Sequence, residues 1–215
     1  MKIFALILSC VLLLGAGLSG CRSNIPQETN GSIVPDEQTK PSTKPTELTV
    51  PTMPMGMAES SSAKVLQNIW DKYPEAERFA VYGGAVEQSV ADGPGDLDMS
   101  VTEELTTRYL LPEAQLGMVK EGASLVHLMN NNIFTAVVFG LADNTDVQGL
   151  AKAWRDSIHG TRWVCGQPDR MIMAQLENNH ILMAFGSQDA MTAFRGRVAE
   201  AYPTAGFLYE EAIVA

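Results

Sequence analysis

Cysteine, histidine and basic residues are all scarce in this 215-residue chain, which has 3 cysteines, 3 histidines, and 15 lysines and arginines against 25 acidic residues. The formal net charge is −10. Phosphate neutralisation needs clustered lysine and arginine, so nucleic acid is excluded as a partner, as is an anionic lipid surface bound through a broad basic face. His127, His159 and His180 never form a spaced pair on one helix, which leaves zinc without a ligand pattern. No apolar run approaches the ~20 residues needed to cross a bilayer. Glycine-rich phosphate loops, a Gly-x-Ser-x-Gly elbow and a dinucleotide-binding glycine fingerprint are all missing, and no cofactor is indicated. The length suits one domain of ordinary size.

The longest apolar run, Ile3 to Leu14 behind Lys2, fits the h-region of a secretory signal. It gives way to Gly15-Ala16-Gly17 and then Leu18-Ser19-Gly20-Cys21, a branched residue and two small ones before a cysteine. This tetrad resembles the lipobox of bacterial lipoproteins. The resemblance implies that residues 1–20 are removed and that the Cys21 thiol carries a diacylglyceryl group, with palmitate among the expected chains. Two or more acyl chains, at ~0.8 kcal/mol per buried methylene, anchor stably where one would not. The expected location is the cell membrane, facing away from the cytoplasm, with Cys21 as the membrane contact. Cys10 leaves with the signal and Cys21 is acylated, so Cys165 has no intramolecular disulfide partner.

Residues 21–59 are rich in Pro, Thr, Ser, Glu and Gln, with Pro26, Pro35, Pro41, Pro45, Pro51 and Pro54 recurring. Such a segment buries too little to offset its ordering entropy and reads as a tether. It would span roughly 35 Å as a coil and about 120 Å if extended. At its end Met53, Met55 and Met57 alternate, either as soft ligands able to hold Cu(I) or as adaptable apolar side chains beginning to meet the domain.

A single α+β domain is expected over 60–215. Ser60-Ser61-Ser62 offer N-cap oxygens to a helix carrying Val65, Leu66, Ile69, Trp70 and Tyr73, and Pro74 limits it. The rest of the N-terminal helical part, to residue 122, reads as a short strand over Phe79–Tyr82, a loop from Ala91 to Asp98, a short helix capped by Thr102, and turns opened by Pro112. Two similar units follow, at 123–160 and 161–215. Leu125–Met129, Asn130–Asn132 and Ile133–Phe139 form a hairpin; Met171–Leu176, Glu177–Asn179 and His180–Phe185 repeat it. Each leads to a helix, one with Val147, Leu150, Trp154 and Ile158 behind a Thr145/Gln148 capping box, the other with Met191, Phe194, Val198 and Tyr202 behind Ser187.

Two ββα units most simply give a four-stranded antiparallel sheet with both helices on one face, similar to a permuted ferredoxin-like fold. From Ile133 to Phe139 both alternating sets of side chains are apolar. The second face must therefore be covered, by the Trp70 helix or by Phe79–Val119, unless it is a dimer or ligand surface.

The lipobox, the Pro/Thr/Glu spacer and one acidic α+β domain together resemble the uncharacterised lipoproteins of Gram-positive bacteria whose C-terminal domain has no known function. That resemblance brings no catalytic motif. Cys165, in Trp163-Val164-Cys165-Gly166, is the one candidate nucleophile, with a histidine as base, although its neighbours suggest a buried thiol. Asp92, Asp96, Asp98 and Glu103 fall in a frame like a calcium loop, but Pro94 and Leu97 occupy positions where that loop is strict, which favours a solvated acidic turn. The expected function is a binding or interaction module for a protein or small molecule. The alternatives are a thiol-dependent hydrolase using Cys165 and a metal-handling protein using Met53, Met55 and Met57.

Overall fold

The computed structural model describes residues 60–164 and 166–214. Ser60 keeps an extended backbone and its hydroxyl accepts the Ala63 N–H at 3.1 Å, so the serine run starts α1 (Ser61–Trp70) as its sequence implies. Next come β1 (Val81–Gly83), β2 (Val90–Ala91), β3 (Gly95–Asp96) and α2 (Thr102–Thr107). The rest of the chain forms β4 (Val119–His127), β5 (Phe134–Leu141), α3 (Val147–His159), β6 (Arg170–Leu176), β7 (His180–Gly186), α4 (Gln188–Ala201) and β8 (Gly206–Ala212). The fold is α+β, with an eight-stranded open antiparallel sheet in the order β2-β1-β4-β5-β7-β6-β8 and β3 also paired to β4.

Both expected hairpins form. In the β6–β7 turn Asn178 and Asn179 take left-handed backbone, with φ of 55° and 62°. In the β4–β5 turn Asn130 Oδ1 accepts the Asn132 N–H at 2.9 Å and the Asn130 carbonyl accepts the Ile133 N–H at 3.0 Å. Two of the expected caps move. Asp146, not Thr145, caps α3 through the Gly149 N–H at 3.0 Å, while the Thr145 hydroxyl donates to the Ala142 and Met118 carbonyls. Val101, not Thr102, precedes α2, with no side-chain bond.

The doubly apolar β5 is explained by two cores. Phe134, Ala136 and Val138 face α1 and α4, while Val137 and Phe139 face α3 and the Leu97–Val119 segment. The covered second face was anticipated. The four-stranded sheet with both helices on one face was not correct, and the reason is topological. β4 occupies the outer edge of β5, so β8 has only the free edge of β6 to join. The crossovers β5-α3-β6 and β7-α4-β8 thus step the same way across the sheet from strands that run in opposite directions. Right-handed crossovers under those conditions place their helices on opposite faces.

β8 ends the sheet with one edge unpaired among the described residues, and it is guarded. Leu208 is an extra residue between Phe207 and Tyr209, a bulge that interrupts the ladder. Arg195 of α4 stacks 4.3 Å over Phe207 and bonds Glu210 on one face. Arg155 of α3 stacks 5.3 Å over Tyr209 and bonds Glu211 on the other.

Candidate functional site

Gly83 sets the site's frame. A Cβ there would lie 2.3 Å from the Ser124 carbonyl oxygen and 2.4 Å from the Gly95 nitrogen, so only glycine lets β1 press against β3 and β4. The next residue, Gly84, takes a φ of 88° and turns the chain outward. Its N–H donates to Ser124 Oγ at 3.0 Å, and the Tyr109 hydroxyl donates to the same oxygen at 2.9 Å. One fully buried serine on β4 thereby joins the turn after β1 to the segment after α2. Burial pushes the Tyr109 phenol up to about 12, which keeps it a neutral donor.

Between these tied segments lies an open groove of about 930 Å³, lined by the 85–88 turn, the 96–101 loop, the outer side of α2 and Asn131. At its base the Arg108 guanidinium sits 5.1 Å over the Tyr82 ring and bonds Glu104 at 2.9 Å. It also donates to the Tyr82 hydroxyl, which in turn donates to Asn131 Oδ1 at 3.1 Å. Burial opposes the Arg108 charge, but the hydrogen bond and negative charge of Glu104, with the two phenols once they ionise, outweigh it and raise the guanidinium above its ordinary value. Leu110, at a φ of 57°, bends the chain after α2 so that the Leu111 N–H reaches the Leu105 carbonyl. The groove's upper walls are apolar and wet: Val86 is 63% exposed and Val101 44%. The carboxylates of Glu87, Asp96, Asp98, Glu103 and Glu104 surround them.

Asp96 also receives the N–H of Ser60 at 3.2 Å and its hydroxyl, so the N-terminal end of α1 borders the groove. Beside it Ser61 donates its hydroxyl to Glu121 and lies 3.1 Å from His180 Nε2. His180 is 3% exposed, and its Nδ1 faces the Glu177 carbonyl at 3.2 Å. Serine and carboxylate thus share one side of the imidazole, an arrangement that fastens the start of α1 and lacks the relay order of a nucleophile, base and orienting acid. A smaller hollow of about 280 Å³ lies beside α4, and its Arg195 is already held by Glu210.

The sequence candidates are distributed as follows. Cys21, Met53, Met55, Met57 and Cys165 lie outside the described residues. Of the residues before Cys165 in the sequence, Val164 is 75% exposed and Trp163 packs edge-on to Phe185 at 5.1 Å. The three histidines are kept apart, His127 Nδ1 accepting the Met129 and Asn130 N–H groups and His159 bonding Glu211 at 2.9 Å. Asp96 and Asp98 turn to separate partners, Ser60 and Ser100. Among the described residues no three His, Cys, Asp or Glu side chains converge as metal ligands. No helix there is long and apolar enough to cross a membrane.

The groove residues Val86, Val101 and Arg108, and the buried Ser124 that ties its flanking segments, were missed by sequence reasoning. Only Ser124 left a trace, as a polar residue on a strand otherwise apolar at that point. No family model, curated protein or solved structure matches this chain.

Proposed function

We propose that this protein is a membrane-anchored extracytoplasmic lipoprotein whose domain is a binding module, with the groove between the 85–88 turn and α2 as its binding site. The groove carries the reading. It leaves two valines open to water on a domain whose sheet is buried on both faces, and it has size, apolar walls and a polar base. The anchor rests on the lipobox Leu18-Ser19-Gly20-Cys21 and the tether behind it. Capture suits this design better than turnover, because no nucleophile, base and orienting acid converge among the described residues.

Two measurements on intact cells test the reading. Labelling with an alkyne palmitate is expected to mark the wild-type protein and not Cys21→Ala. A photocrosslinking residue at Val86 is expected to give a discrete adduct that the same residue at exposed Lys64, on α1, does not. Equal labelling of Cys21→Ala removes the anchor, and identical adducts from both positions remove the groove.

A further inference from the structure

We propose that the groove takes an extended peptide segment of a partner protein in which lysine or arginine side chains alternate with aliphatic ones. The inference rests on the groove being the binding site. Its first support is the state of the charges. Of the six ionisable side chains named at the groove, Arg108 is the one cation, and it is bound to Glu104 and capped by Tyr82. Glu87, Asp96, Asp98 and Glu103 are joined to no Lys, Arg or His among the described residues. Elsewhere the domain matches many of its acids from its own cations: Glu77 and Glu200 with Arg197, Asp156 with Lys152, Glu210 with Arg195, Glu211 with Arg155. Negative charge is left unmatched beside the valines.

The second support is the pairing of that charge with apolar walls. Lysine and arginine lay aliphatic stems along apolar surface while their heads reach for carboxylates, which is the chemistry Val86 and Val101 offer beneath Glu87 and Glu103. The volume stands at the upper end of the range of about 300–1,000 Å³ usual for small ligands, and the groove is open to solvent, so it would leave a compact molecule only partly enclosed. A second copy of this acidic protein would meet the groove with like charge.

The test uses the full-length chain in detergent and a fluorescein-labelled peptide, Lys-Val-Lys-Leu-Lys-Val-Lys-Leu-Lys, followed by anisotropy. Saturable binding is expected. Glu87→Gln/Asp98→Asn/Glu103→Gln should weaken it about tenfold, and so should Val86→Ser/Val101→Ser. The control Glu75→Gln/Glu113→Gln/Asp143→Asn removes as much charge elsewhere and should leave binding within about twofold. Far-UV circular dichroism checks that each variant folds. Equal weakening by the control overturns the proposal, since the attraction then belongs to the whole acidic surface. So does equal binding of the peptide with glutamate for lysine, no saturation up to about 1 mM, or a dimer that the valine substitutions dissociate. A Val86 adduct in cells together with a peptide that fails to bind sinks the peptide class and leaves the binding-module reading intact.

Discussion

Replacing Trp154 with phenylalanine probes the connection that holds the groove's base to the rest of the domain. Trp154 is fully buried on α3, 5.4 Å from Phe139, and its Nε1–H donates to the Tyr109 carbonyl at 2.8 Å. Tyr109 follows Arg108 directly and carries the hydroxyl that Ser124 receives, so this one bond ties α3 to the chain beneath the groove. Phenylalanine has no N–H to offer. Leaving a buried carbonyl unpaired costs about 1–3 kcal/mol, and the smaller ring forfeits a further 1–2 kcal/mol or so of contact. We expect a loss of about 3 kcal/mol in urea unfolding, with an unchanged m-value. At about 2–4 °C per kcal/mol for a domain of this size, the melting temperature should fall by about 9 °C. Amide exchange should also quicken between residues 105 and 111. A loss under about 1 kcal/mol at constant m, with exchange unaltered there, would show that Tyr109 needs no partner and that α3 does not hold the groove's base.

Two other predictions follow from the frame and the edge. Gly83→Ala sets a methyl group against backbone atoms at 2.3 and 2.4 Å, and since neither can swing aside as a side chain could, we expect at least about 3 kcal/mol of destabilisation in the same urea assay. At Glu211 the Arg155 hydrogen bond leads the causes that hold the carboxyl below its ordinary value of 4.5, with His159 adding to it. A lowered folded-state value stabilises above the unfolded value and is lost as pH falls through it. Glu211→Gln should therefore cost about 1 kcal/mol at pH 7, and the cost should shrink as the pH is lowered below 4.5. A cost that stays constant down to the acid unfolding of the wild type would mean that packing and not charge is at stake.

The parts of the fold that sequence made legible are those set by local chemistry and period. Ser60 and Ser187 cap the helices that their positions suggested, and the asparagines of Glu177-Asn178-Asn179 turn the second hairpin. The doubly apolar run from Phe134 to Phe139 announced a sheet covered on both sides. What stayed hidden depends on partners far apart in the chain. The β4–β5 hairpin was expected, but nothing marked Gly206–Ala212 as a further strand on the free edge of β6, and the crossover into it decides the face of α4. The groove was hidden for the same reason: Gly83, Ser124 and Tyr109 look like a turn glycine, a lone strand serine and a helix aromatic until the fold brings them together. Asp92 to Glu103 drew notice as a possible calcium frame, whereas Asp96 goes to Ser60 and Asp98 to Ser100, and no three carboxylates converge as ligands among the described residues.

The bond from Ser60 to Asp96 has a consequence. Asp96 holds both the N–H and the hydroxyl of Ser60, the residue that caps α1, and is also part of the groove wall. Anything that draws the Asp96 carboxylate away from Ser60 must loosen the cap of α1 as well, so the groove wall and the start of the helix compete for the same two oxygens.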